Sequence, residues 1–217
     1  MIEYKQPVQR ARSSTNSRVL PMPIEVLIVY HSRLGSIQKM ARLIARGVES
    51  VSGCSALLRS VPEVTVQSKP EQAGPSKTVL AESGDPYVEL SELDSCAGLI
   101  VGSPTRFGNM SAPMKYFLDN TSSQWMSGQL VGKPAAVFTS SSSMHGGQES
   151  TLLSMINPLL HHGMLICGIP YTESALHKTT SGGTPYGASH VAGSANANPI
   201  SDHEKTLCIA LGKRVAE

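Results

Sequence analysis

Three short stretches concentrate the groups that can bind and orient a ligand. Ser32-Arg33-Leu34-Gly35-Ser36-Ile37 lies directly after an aliphatic run and directly before a helical pattern. A helix N-terminus offers unpaired N–H groups and about half a positive charge, so it can hold a phosphate without a lysine. Ser32 and Ser36 can add hydroxyl donors, and Gly35 allows the backbone to come close. No Lys follows the glycine, so this is not a triphosphatase loop, and it is not G-x-G-x-x-G either. A plain strand-to-helix turn with a serine cap would use the same residues. The second stretch, Pro104-Thr105-Arg106-Phe107-Gly108-Asn109, sets an aromatic ring and a cation beside a Gly-Asn turn. Without a ligand it reads as a tight turn with Phe107 packed inward. The third, Ser140-Ser141-Ser142-Ser143-Met144-His145-Gly146-Gly147, is either a surface loop or a row of hydroxyl groups.

These stretches need elements to position them. Ile24 to Tyr30 is a near-continuous β-branched and aliphatic run, the pattern of a strand covered on both faces. Ile37, Met40, Ala41, Ile44, Ala45 and Val48 then recur at helical spacing, with an end expected near Gly53. Ser55 to Val61 reads as a second strand, and 62–92, rich in Pro, Glu, Ser and Lys, as a long loop. Ala97 to Gly102, Pro134 to Thr139 and Met164 to Cys167 supply further strands. Ser111 stands as the cap of one helix, with Pro113 in its first turn. Gln148 to His161 reads as another helix, with Pro158 expected to distort its last turn. Residues 171–199 lose periodicity, and Glu204 to Val215 forms a last helix. Strand-loop-helix alternation predicts an α/β fold with a parallel sheet and right-handed crossovers. In such sheets ligands bind outside the carboxyl ends of the strands, where all three stretches fall. Together they favour a mononucleotide carrying a flat ring.

Composition narrows the field. The chain has 217 residues, 40% hydrophobic and 16% charged, enough to build a sizeable core. No apolar run approaches the ~18 residues of a membrane span. The formal charge of +2 divides unevenly: residues 1–20 carry +3 and the remainder −1, so the body has no basic stripe for nucleic acid. Residues 1–23 read as a flexible tail, and 24–217 as the folded domain. The tail has no secretory apolar region; its Arg/Ser-rich character leaves a transit peptide open. Cys54, Cys96, Cys167 and Cys208 match neither a zinc site nor a disulfide scaffold, and suggest reduced thiols in a cytoplasmic protein. His161-His162 has no Cys or carboxylate at zinc-ligand spacing, so no metal is expected.

Five strings stand in order: Tyr30-His31-Ser32-Arg33-Leu34-Gly35-Ser36-Ile37, Gly102 to Ser111, His145-Gly146-Gly147-Gln148-Glu149, His161-His162-Gly163-Met164 and Gly182-Gly183-Thr184-Pro185-Tyr186-Gly187-Ala188. Together they resemble the WrbA-type NAD(P)H:quinone oxidoreductases, flavodoxin-like FMN proteins, over about residues 24–216. The resemblance implies a doubly wound, five-stranded parallel sheet with helices on both faces and a homotetramer, or a dimer, whose pockets neighbouring subunits complete. By motif position, Ser32, Arg33, Leu34, Gly35, Ser36 and Ile37 would cradle the FMN phosphate. Pro104, Thr105, Arg106, Phe107 and Gly108 would border the flavin ring, as would Ser140, Ser141, Ser142, Ser143, Met144 and His145. His161 would lie at the flavin pocket as the catalytic group, Trp125 and Phe107 would meet a quinone, and Leu34 would meet NADH or NADPH. Without the resemblance, Trp125 reads as a core anchor and His161 as a helix-end packing group. The implied activity is two-electron quinone reduction, against oxidative stress. A single-electron flavodoxin carrier and a flavin-binding scaffold are the alternatives. Leu34, Ser36 and the four-serine run depart from the commoner pattern of that family.

Overall fold

The computed structural model describes residues 23–64 and 84–217. The flexibility expected of the tail, and most of the expected 62–92 loop, lie outside the described residues. Strand β1 (Ile24–Tyr30) is buried from Val26 onward and carries the chain into helix α1 (Ser36–Glu49). The apolar positions at helical spacing are the ones α1 buries: Ile37, Met40, Ala41, Ile44, Ala45 and Val48. The helix stops at Glu49, four residues short of Gly53, because the turn into β2 (Cys54–Ser60) begins there. A short helix, α2 (Leu90–Ser95), occupies the end of the expected loop. Its capping box between Glu89 and Glu92 was the overlooked start signal.

Next come β3 (Gly98–Pro104), α3 (Ala112–Asp119), α4 (Ser122–Ser127), β4 (Pro134–Ser141) and α5 (Gln148–His161). The chain closes with β5 (Leu165–Ile166), α6 (Ser174–Lys178), β6 (Ala188–Val191) and α7 (Asp202–Ala216). Helix α5 runs through Pro158 to His161, the His162 N–H reaching the Pro158 carbonyl at 3.1 Å.

All strand pairs are parallel, in the order β2-β1-β3-β4-β5, the doubly wound arrangement expected. The fifth position is shared. β5 pairs with Pro134 and Ala135 at the start of β4, and β6 pairs with Phe138 to Ser141 at its end. The segment 171–199 is therefore not structureless. Its glycines, threonines and serines hid one helix and one sheet strand, because a four-residue strand beside β4 needs no long apolar run.

Two apolar layers sandwich the sheet. One packs α1 and α7 against Ile28, Tyr30, Ile100 and Phe138; the other packs α3 and α5 against Leu27, Val29, Val101 and Val137. Helices α1 and α7 touch backbone to backbone. A methyl group on Gly47 would run into the Ile209 carbonyl, and one on Gly212 into that of Ile44. Segment 84–86 is tied down by Asp85, which accepts from the Tyr30 hydroxyl and, at 2.7 and 2.9 Å, from Arg42.

Candidate functional site

A cleft of about 150 Å³ opens at the carboxyl edge of β1, β3 and β4. Its floor and near wall are Ser32, Arg33, Leu34, Ser36 and Ile37, after β1. Gly35 supplies the bend between them at φ 86°, where a side chain would be strained. The N-terminus of α1 is largely open: Gly35 at the cap position lends it no side chain, only Ser32 reaches back to its first turn, and no acidic residue lies there. Helix α7 is the contrast, with Ser201 and Glu204 forming a full capping box. Ser32 Oγ accepts the Gln38 N–H at 3.3 Å, and its own proton has no acceptor among the described residues, which leaves it for an anion. Ser36 differs from expectation, because its hydroxyl donates to Asn196 Oδ1 at 2.7 Å.

Pro104, Thr105 and Arg106 form the second wall. Thr139 donates to the Ser103 carbonyl at 2.7 Å, so Thr105, 3.2 Å away, donates to Thr139 and its proton is spent within the protein. Thr105 N–H reaches the Ser140 carbonyl at 2.9 Å. Arg106 and Asn109 exchange backbone hydrogen bonds of 2.8 and 2.9 Å around Phe107 (φ 50°) and Gly108 (φ 73°). Both central residues are left-handed, the geometry of a type I′ turn, which favours Gly but strains Phe. Phe107 is not packed inward: it is fully exposed at the turn's tip. Neither Phe107 nor Gly108 lines the cleft.

The third wall is Ser140, Ser141 and Ser142. The first two belong to β4 rather than to a loop, and both are buried. Ser141 donates to the Ser143 carbonyl at 2.7 Å and accepts from Gln148 at 3.0 Å, leaving Ser140 and Ser142 with no hydroxyl partner among the described residues. Ser143, Met144 and His145 are exposed and stand outside the cleft lining. The fourth wall was missed in the sequence: Ala192, Gly193, Ser194 and Asn196, the turn after β6. Its signal was present as a run of small residues inside 171–199.

Trp125 and His161 lie elsewhere. They share a second hollow of about 420 Å³ with Leu118, Thr121, Asn157, Pro158 and His162. Helix α5 begins beside the cleft and rises about 20 Å over its 14 residues, which carries His161 to the other edge of the sheet. Trp125 is half-exposed rather than a core anchor. His162 is buried, with Nε2 2.8 Å from Thr121 Oγ1 and Nδ1 unpartnered among the described residues. Burial, and then the neighbouring His161, hold the His162 pKa below the usual imidazole value. Among the described residues, no three His, Cys, Asp or Glu side chains gather to hold a metal, and no helix is long and apolar enough to cross a membrane.

The sheet order and a phosphate-suited first loop at its carboxyl edge define a flavodoxin-like α/β protein. Comparison sharpens this: residues 26–173 match the NADPH-dependent FMN reductase family, and the chain belongs to it. It is 45% identical over 197 residues to a protein of Syntrophobacter fumaroxidans named NAD(P)H dehydrogenase (quinone), covering 89% of this chain and 96% of that one. A protein of the same name from Solidesulfovibrio magneticus is 42% identical over 197 residues, covering 89% and 97%. Among solved structures, a flavodoxin, WrbA-like protein from Agrobacterium tumefaciens superposes with a TM-score of 0.59 at 25% identity, covering 88% of this chain and 94% of that one.

Proposed function

We propose that the protein is an FMN-dependent NAD(P)H:quinone oxidoreductase. The observation that carries this is the N-terminus of α1, with a glycine at its cap position, opening into a hydroxyl-lined cleft in a chain whose curated relatives are NAD(P)H dehydrogenases (quinone). The donor set fits FMN. The N–H groups of Ser36 and Ile37, without a partner among the described residues, and the Ser32 hydroxyl suit a phosphate dianion, and Ser140, Ser142 and Ser194 suit the polyol chain. When bound, FMN supplies the two-electron hydride chemistry that links NAD(P)H to a quinone.

The chain's own residues hold and screen. The hydroxyl series Thr105–Thr139–Ser103 fixes the end of β3 against β4, so the Thr105 and Arg106 wall keeps its place under a flat ring. Phe107, held in a strained turn with its ring in solvent, offers an apolar face to a planar substrate or a neighbouring subunit. Trp125 and His161 cannot reach the cleft of their own chain. The reading that uses them is the WrbA type: a homotetramer or dimer in which this hollow completes the cleft of another copy. There Trp125 would stack on the quinone, and His161 would hold a quinone oxygen by hydrogen bond. Leu34, an exposed apolar side chain on the near wall of the cleft, would meet the nicotinamide nucleotide. Residues 24–217 form the FMN-binding unit, and the free, partly buried cysteines support a cytoplasmic setting.

The test is visible absorption of the protein loaded with FMN, to which NADH or NADPH is added without oxygen, followed by benzoquinone. Loss of the flavin band and its return with quinone are expected. Absence of flavin binding would overturn the reading, and binding without bleaching would leave a carrier or scaffold in its place.

A further inference from the structure

We infer that Asn196 is a positioning residue that fastens the phosphate end of the cleft, and so sets the preference for phosphorylated over unphosphorylated flavin. The inference rests on the FMN reading above and concerns a residue outside the motifs that suggested it.

Asn196 lies in the turn between β6 and α7, yet its side chain belongs to the loop after β1. Oδ1 accepts the Ser36 hydroxyl proton at 2.7 Å, and Nδ2 donates to the Leu34 carbonyl at 2.9 Å. One amide thus bridges two loops 160 residues apart in the chain. The turn that carries it is itself braced. Asn196 N–H reaches the Gly193 carbonyl at 3.0 Å, Asn198 N–H the Ala192 carbonyl at 3.0 Å, and Asn198 Nδ2 the Val191 carbonyl at 3.1 Å. Asn196 sits at φ 54°, a left-handed conformation that Asn tolerates better than most residues and that aims its amide at the first loop.

The consequence falls on the anion site. In a planar trans peptide the carbonyl and the following N–H point opposite ways, so holding the Leu34 carbonyl toward Asn196 turns the Gly35 N–H away from it. Taking the Ser36 proton leaves that hydroxyl as an acceptor. The first loop then reads an anion through its backbone N–H groups and Ser32, and its geometry depends on the clasp. A ligand lacking phosphate has little use for that geometry.

The experiment compares affinity for FMN and for riboflavin, by quenching of flavin fluorescence, in the apo full chain and two variants. Asn196→Gly keeps the left-handed turn and removes the amide; Ser36→Ala removes one of its partners. Loss of a clasp of two hydrogen bonds is expected to weaken FMN about tenfold in Asn196→Gly, with riboflavin changed less than about twofold. Ser36→Ala should weaken FMN by less, and the double variant no more than Asn196→Gly alone. Thermal midpoints of the apo proteins verify folding. Equal weakening of both flavins would reduce Asn196 to a structural part, and unchanged FMN affinity in Asn196→Gly would overturn the inference while the FMN reading stands. Failure of the unsubstituted protein to bind FMN would remove both.

Discussion

Glu204→Gln isolates the charge that ties β6 and Gly182 to the start of α7. The Glu204 carboxylate is 1% exposed and accepts four hydrogen bonds. Gly182 N–H (2.8 Å) and Val191 N–H (3.1 Å) reach Oε1, while Ser201 N–H (2.7 Å) and His190 Nδ1 (3.0 Å) reach Oε2. Burial by itself would raise this carboxyl, but His190 and the three backbone donors outweigh it and pull the pKa down to about 2 from 4.5. A shift of that size corresponds to about 3 kcal/mol of stability. A glutamine keeps the shape but turns an NH₂ group toward two of the four donors. Urea unfolding followed by circular dichroism should therefore show a loss of about 3 kcal/mol at neutral pH. The pH dependence fixes the cause. Because the folded pKa lies below the unfolded one, the contribution is whole above about 4.5 and drains away as pH falls toward about 2. The gap between the two proteins should hold from neutral pH down to about 5 and narrow below it. A gap under about 1 kcal/mol at neutral pH, or one that does not narrow in acid, would refute the reasoning.

Other substitutions probe other parts. Gly47→Ala and Gly212→Ala, which in a free helix face would be mildly stabilising, should each cost about 2 kcal/mol in the same unfolding assay, because the added methyl meets main chain. Phe107→Gly should relieve the strained turn and raise stability by about 1 kcal/mol, while lowering quinone turnover if the exposed ring serves the site. Trp125→Ala should raise the quinone KM and leave FMN affinity unchanged; unaltered quinone kinetics would remove Trp125 from the site. His162, buried and neutral, must take up a proton at a cost, so stability should decline as pH falls below about 6.5 and decline less in His162→Asn, as thermal midpoints across pH 5–8 would show.

The strands that bear the site were legible because they are buried on both faces. Ile24–Tyr30 and Pro134–Ser141 leave little room for another pattern, and small and hydroxylated residues crowd where they end. The first three walls of the cleft followed from that. The fourth did not, since Ala192 to Asn196 earns its place through a short strand whose pairing with β4 is a tertiary fact. The same holds for the Ser36 and Thr105 hydroxyls, whose protons are committed to partners far off in the chain. The placement of His161 depends on helix length: position in a motif says what a residue resembles, while about 20 Å of α5 decides which edge of the sheet it reaches, the edge where α4 sets Trp125.

The contact between α1 and α7 carries a consequence for how the chain can change over generations. Elsewhere in a protein interior an oversized residue can be accommodated by trimming its neighbour, so a harmful substitution has suppressors. At Gly47 and Gly212 the obstacle is the carbonyl of Ile209 or Ile44, a group that every amino acid brings with it. No second substitution at the opposing position makes room. These two sites are closed to genetic rescue, and the helices leading from the two loops that Asn196 joins must drift, if at all, as one body.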